Sequence, residues 1–218
     1  MRLIIIRHGE TFSNEAYGTN DQVIIGQLDC EYTLLNEKGI HQAKQAKDFL
    51  NKHSIVPDVI FVSDITRAKQ TASIIFEDAS FIEDSRLRER SLGHFEGVRY
   101  VDIKDDINAK PYLVDTKNDS FNECITKKPE DGENYVDVYN RCTQLLNDID
   151  TSNNQTIAFV SHFHTIRNML FVLNKKPLDE RVFQLMIENS TPYIFDYHDG
   201  KYWYEGEDEL IKNIVNGE

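Results

Sequence analysis

The sequence predicts an α/β fold of three layers (αβα): a largely parallel central sheet with helices on both faces and an inserted lid-like segment. Two observations predict it. Leu3–Ile6, Val59–Ser63 and Thr156–Ser161 are apolar runs rich in β-branched and aromatic residues, too short for helices and right for strands buried on both faces. Amphipathic helical patterns lie between and after these runs, and no repeat, linker or low-complexity tract interrupts them. Residues 1–218 therefore read as one domain, with a candidate lid at 98–128.

In chain order, Leu3–Ile6 ends abruptly at Arg7 and His8, and Gly9 allows a sharp turn. Thr11 to Asn14 starts a short helix whose amino end faces the same place as His8, where free N–H groups favour an anion. Tyr17 to Thr33 reads as a loop. Asn36 caps a helix whose inward face is Ile40, Ala43, Lys47 and Leu50, with Gly39 weakening its first turn. After Val59–Ser63, a helix buries Ala68, Ala72 and Ile75 and places Arg67 in or near its first turn, where a cation opposes the helix dipole unless it meets an anion.

Phe81-Ile82 reads as a short strand, and residues 86–97 are irregular. Residues 98–128 show weak periodicity and many charges, the pattern either of a functional or mobile connection or of an ordinary helical excursion. From Tyr135 the best amphipathic helix of the chain runs through Val138, Tyr139, Cys142, Leu145, Leu146 and Ile149. Thr156–Ser161 then stops at His162, and a helix follows with Ile166, Leu170 and Leu173 inward. A short helix after Pro177 leads to a more exposed strand at 191–197. Asp199-Gly200 turns it into Lys201-Tyr-Trp-Tyr, and Glu207 to Val215 closes the chain as a helix.

Composition narrows the function. The net charge of −13 argues against nucleic-acid or anionic-membrane partners, which need clustered cations. It does not exclude a small anionic substrate, because distant exposed charges are screened beyond about 8 Å while a nearby arginine is not. No apolar run approaches the ~20 residues of a membrane span, and no signal peptide is visible, so the cytoplasm is the expected location. The three cysteines lack metal-site spacing and read as free thiols, with Cys142 in the core. The oligomeric state stays open, a homodimer included.

Three parallel strands deliver their carboxyl ends to one sheet edge. That edge would gather Arg7 and His8, Ser63 with Arg67 just beyond it, and Ser161 and His162. Arginine forks match phosphate oxygens, and histidine can accept a phosphoryl group. The constellation points to phosphoryl transfer without an evident metal cage.

At these residues the chain resembles the histidine phosphatase superfamily, also described as phosphoglycerate-mutase-like. The resemblance lies in Arg7-His8-Gly9-Glu10-Thr11 with Asn14, Ser63 through Arg67 to Ala72, Leu87-Arg-Glu89 running to Gly97, Gly132-Glu133, and Val160-Ser-His162-Phe-His-Thr-Ile-Arg167. It implies that His8 is the nucleophile and that Arg7, Arg67 and His162 hold the phosphoryl oxygens. It also implies that Glu89 is the general acid and base, with Asn14 a further phosphate contact. Thr11, Arg88, Arg90 and Phe163 complete the candidate substrate-binding set, and no cofactor or metal is expected.

Two departures stand out. Phe163 follows His162 where the family usually has glycine, and His164 creates a His-x-His pair that invites a metal reading. The Arg88-Glu89-Arg90 arrangement resembles members acting on phosphorylated sugars or glycolytic acids, and suggests a substrate with a second anionic group. Leu92 replaces the mutase tyrosine, and the insertion carries lysines but no arginine beyond Arg99. The expected activity is therefore a phosphatase for small phosphorylated metabolites. The alternatives are a cofactor-dependent phosphoglycerate mutase, or a non-catalytic phospho-ligand or protein-binding module.

Overall fold

The computed structural model describes residues 1–106, 109 and 121–217. Its six-stranded sheet has the order β3-β2-β4-β1-β5-β6, formed by β1 (Arg2–Arg7), β2 (Val59–Val62), β3 (Ile82–Glu83), β4 (Thr156–Ser161), β5 (Pro192–His198) and β6 (Lys201–Tyr204). β1, β4, β2 and β3 run parallel, while β5 and β6 are antiparallel. The reversal between β5 and β6 has a local cause. Asp199 and Gly200 both adopt positive φ, 54° and 77°, as a two-residue hairpin turn requires.

The sheet is covered on both faces, and the alternation of β1 shows how. Leu3 and Ile5, with Ile157 and Phe159, face α6 (Tyr135–Asn147), α7 (Phe163–Leu173) and α8 (Glu209–Val215). Ile4 and Ile6, with Ala158 and Val160, face α2 (Glu37–Lys52) and α3 (Thr66–Ile75). Cys142 is fully buried in the first of these layers, and burial pushes its thiol up to about 12. α6 begins on a reciprocal cap: Asn134 Oδ1 accepts the Asp137 N–H at 2.8 Å, and Asp137 Oδ2 accepts that of Asn134 at 3.2 Å.

Several elements differ from the sequence expectation. The inward face of α2 is Gly39, Ala43, Ala46 and Leu50, while Ile40 is exposed and Lys47 is only half-buried. Small residues on that face let α2 approach α3 and the turn after β1 closely, so packing distance overrides the apolar periodicity. The segment after Pro177 is a 3-10 turn, Glu180–Phe183. α7 is buried nearly all round rather than on one stripe. Within the candidate lid, α4 (Tyr100–Ile103) and α5 (Phe121–Thr126) are helical; residues 107, 108 and 110–120 lie outside the described residues.

Register sets up the site. Arg7 pairs with Ser161, and Val62 with Val160. Consequently His8 and His162 leave neighbouring strands at the same level, with Ser63 beside them.

Candidate active site

A cavity of about 770 Å³ opens at this sheet edge, a size that accommodates a ligand larger than a phosphate ion. Arg7, His8, Thr11, Asn14, Arg67, Glu89, Arg90 and Phe163 line it. His162 stands just behind, wholly buried, with its ring centroid 5.1 Å from that of His8. Arg88 is the sequence candidate that the structure does not bring here. Its Nε and Nη2 donate to Asp64 at 2.7 and 2.6 Å, and it is absent from the cavity wall.

His8 is held by its own turn. Its ring Nδ1 lies 2.8 Å from the carbonyl oxygen of Gly9. A carbonyl only accepts, so Nδ1 carries the proton and Nε2 is the bare, nucleophilic nitrogen. Burial, seconded by Arg67 and Arg7, holds His8 well below the usual imidazole range and keeps it neutral. The turn itself is clamped: Thr71 Oγ1 accepts the Gly9 N–H at 3.0 Å, and Gln42 Oε1 accepts that of Glu10 at 2.9 Å.

The cations around His8 are anchored by backbone oxygens. Arg67 donates to Gly26 and Leu28 at 2.9 and 3.1 Å, which explains a buried arginine in the first turn of α3. Arg7 Nη1 donates to Ile187 at 2.7 Å, and burial lowers its guanidinium to about 10, still charged at neutral pH. Arg7 Nε and His162 Nδ1 are buried with no hydrogen-bond partner, two donor-capable atoms in the ring that surrounds His8. His162 Nε2 shares a hydrogen bond with Ser63 Oγ at 2.8 Å. Burial, with Arg67 and His8, holds its imidazole well below the usual range as well.

Phe163 is a platform. The Arg7 and Arg167 guanidinium carbons lie 4.8 and 4.0 Å from its ring centroid, a cation–π geometry. Thr11 caps α1 (Phe12–Glu15), and its hydroxyl and N–H both reach Asn14 Oδ1, at 3.0 and 3.2 Å.

Glu89 comes from the irregular segment beyond β3. Its Oε1 accepts the Arg90 and His164 backbone N–H groups at 2.7 and 3.1 Å. Burial alone would raise this carboxyl. The charge and hydrogen bond of His164, with His162 and the Arg90 N–H, outweigh burial and hold it well below the usual carboxylate range. Below it, Gln27 Nε2 and Arg141 Nη2 donate to the Glu89 carbonyl at 2.8 and 3.2 Å, and Glu133 accepts from Arg141 Nε at 2.8 Å.

The His-x-His pair does not converge. His162 caps α7 and turns to Ser63, whereas His164 lies inside the helix with Nδ1 3.4 Å from Glu89 Oε1. Among the described residues no group of three or more His, Cys, Asp or Glu is placed to hold a metal. No helix among them is long and apolar enough to cross a membrane.

Sequence reasoning did not assign Arg167, Asn189 or Arg141 to the site. Arg167 and Asn189 line the cavity, and Asn189 Nδ2 donates to the His8 carbonyl at 2.8 Å. Only Arg167 left a signal, as the last residue of the block that begins at Val160.

A family model described as histidine phosphatase superfamily (branch 1) matches residues 3–207. The chain is 31% identical over 188 residues to the glucosyl-3-phosphoglycerate phosphatase of Mycobacterium tuberculosis (strain CDC 1551 / Oshkosh), covering 81% of this chain and 77% of that protein. It is 29% identical over 117 residues to the 2,3-bisphosphoglycerate-dependent phosphoglycerate mutase of Nocardia farcinica (strain IFM 10152), a match spanning 51% of this chain and less than half, 44%, of the mutase. Among solved structures, a mycobacterial glucosyl-3-phosphoglycerate phosphatase in complex with VO3 superposes with a TM-score of 0.75 at 27% identity, covering 94% of this chain and 96% of that one.

Proposed function

This chain belongs to the histidine phosphatase superfamily, branch 1, and from that premise we propose that it hydrolyses phosphomonoesters of small anionic metabolites by a metal-independent route through phosphohistidine on His8. The observation that carries this reading is the placement of the His8 ring, whose Nδ1 lies 2.8 Å from the Gly9 carbonyl oxygen and so leaves Nε2 as the free nitrogen in a cavity that Arg7 and Arg67 also line. In the first step Nε2 attacks phosphorus, the ester P–O bond breaks, and Glu89 gives its proton to the leaving alcohol. In the second, Glu89 takes a proton from water as the water oxygen attacks the phosphohistidine. His8 is freed and inorganic phosphate departs.

Arg7, Arg67 and His162 counter the charge on the equatorial oxygens in both steps, the task a metal performs elsewhere. Glu89 is held as a carboxylate by its neighbours, and a substrate dianion entering the arginine ring favours its protonated form. Arg90 and Arg167, rather than Arg88, are the cavity-wall cations that a second anionic group would meet.

The test is phosphate release from sugar phosphates, phosphoglycerates, nucleotides and phosphopeptides, with wild type and His8→Ala, with and without chelator. Turnover of a small phosphomonoester that disappears in His8→Ala and ignores chelator is expected; turnover that survives the substitution refutes it. The similarity to phosphoglycerate mutases supports a second reading. It wins if 3-phosphoglycerate with 2,3-bisphosphoglycerate gives 2-phosphoglycerate faster than free phosphate.

A further inference from the structure

His164 is the second residue of α7, and it touches Glu89 in two ways. Its backbone N–H donates to Oε1 and Oε2 at 3.1 and 3.3 Å, a contact that any residue but proline could make. Its ring Nδ1 stands 3.4 Å from Oε1, and that contact needs histidine. The ring sits edge-on to Tyr135 and Phe163, with centroids 5.9 and 5.3 Å away. It is also the more open partner, its side chain 25% exposed against 11% for Glu89, and it lines the cavity.

We propose that His164 is a positioning residue that stores and returns the proton of Glu89, so that the pair, rather than the carboxyl alone, acts as general acid and base. This rests on the phosphohistidine reading above. The groups facing the pair explain why a store is needed. Glu89 looks onto His8, His162, Arg7 and Arg67, with Arg141 beneath its carbonyl, and His164 looks onto Tyr135. Among these, the arginines favour the carboxylate, yet the first chemical step consumes a carboxylic-acid proton.

An imidazole is a better proton acceptor than a carboxylate, and with Nδ1 3.4 Å from Oε1 it stands where it can take a proton from Glu89 and give it back. In this proposal that proton sits on His164 Nδ1 between turnovers. When a substrate dianion enters, it moves to Glu89 Oε1 and leaves a neutral imidazole. Cleavage of the ester P–O bond passes it to the leaving oxygen. Glu89 regains a proton from the attacking water and, on release of phosphate, returns it to His164. Beyond the hydrolysis itself no proton is gained or lost, and no redox partner is required. Nδ1 and Oε1 need close only from 3.4 Å to about 3 Å, the tightening expected when a catalytic site fills.

The experiment measures kcat/KM from pH 4.5 to 8.5 for wild type, His164→Gln and His8→Ala. The two esters are 3-phosphoglycerate, whose alkoxide leaves only with a proton, and p-nitrophenyl phosphate, whose leaving group needs none. For His164→Gln the alkaline limb with 3-phosphoglycerate should move down by about one pH unit, a roughly tenfold loss on that limb. The rate at pH 5 stays near wild type, and the p-nitrophenyl phosphate rate changes less than threefold. In His164→Ala, added imidazole should move the limb back. An equal loss at every pH with both esters, or an unmoved limb, overturns the proposal. Wild-type turnover by His8→Ala would instead overturn the phosphohistidine reading, a different and recognisable outcome.

Discussion

Gly39→Ala tests how the nucleophile is positioned from behind. Gly9 and Gly39 meet back to back. A Cβ on Gly39 would lie 2.0 Å from the Glu10 carbonyl oxygen and 2.7 Å from the Glu10 nitrogen, and a Cβ on Gly9 would lie 2.6 Å from the Gly39 oxygen. These are backbone atoms and cannot rotate aside. Restoring ordinary contact at 3.4 Å from 2.0 Å requires a separation of 3.4 − 2.0 = 1.4 Å between the first turn of α2 and the segment directly after His8.

Alanine's better helix propensity favours the variant by up to about 1 kcal/mol, against about 1–3 kcal/mol for overpacking. The net stability loss should be about 0–2 kcal/mol. Activity should suffer far more, because a misplacement of about 1 Å can cost about a hundredfold. Phosphate release and thermal melting on the same preparation separate the two effects. A Gly39→Ala enzyme with kcat within threefold of wild type and an unchanged or raised Tm would refute the reasoning.

Two further expectations follow from the same geometry. Arg88→Ala should leave kcat/KM within twofold and cost less than about 1 kcal/mol, because its partly exposed guanidinium is committed to Asp64 at 2.6 Å and lies off the cavity; a tenfold rise in KM would restore Arg88 to the binding set. His8 and His162 are held well below the usual imidazole range, so near pH 6 the unfolded chain binds protons that the folded one does not. Their contribution is therefore complete above about pH 6.5 and is lost as pH falls towards their folded values, by up to about 1.4 kcal/mol per pH unit for each histidine. Chemical unfolding should show this slope between pH 6.5 and 5, reduced in His162→Gln; a flat profile would contradict it.

Much of the fold was legible because its signals are local. The three buried strands, the Asn36 helix start and the Asp199-Gly200 hairpin each follow from burial pattern, cap chemistry or backbone freedom within a few residues. The inward face of α2 was not, because its choice depends on how near α3 and the turn after β1 lie. Glu89 belongs to the same contrast. A motif could mark it, but no local pattern could announce that Arg90 and His164 backbone N–H groups would hold its carboxylate.

The sequence by itself determined which chemical groups would leave the strand ends, because strand length, glycine placement and residue order are written along the chain. Only the tertiary structure decided which of them share the cavity. Arg90 lines it while Arg88, two residues away, is neutralised by Asp64 across a gap of 24 residues. His164 likewise meets Glu89 across 75 residues rather than joining His162. The physical reason is range: conformational preferences act over a few neighbours, whereas the charge partner and burial of a side chain depend on segments that meet only after the sheet has closed.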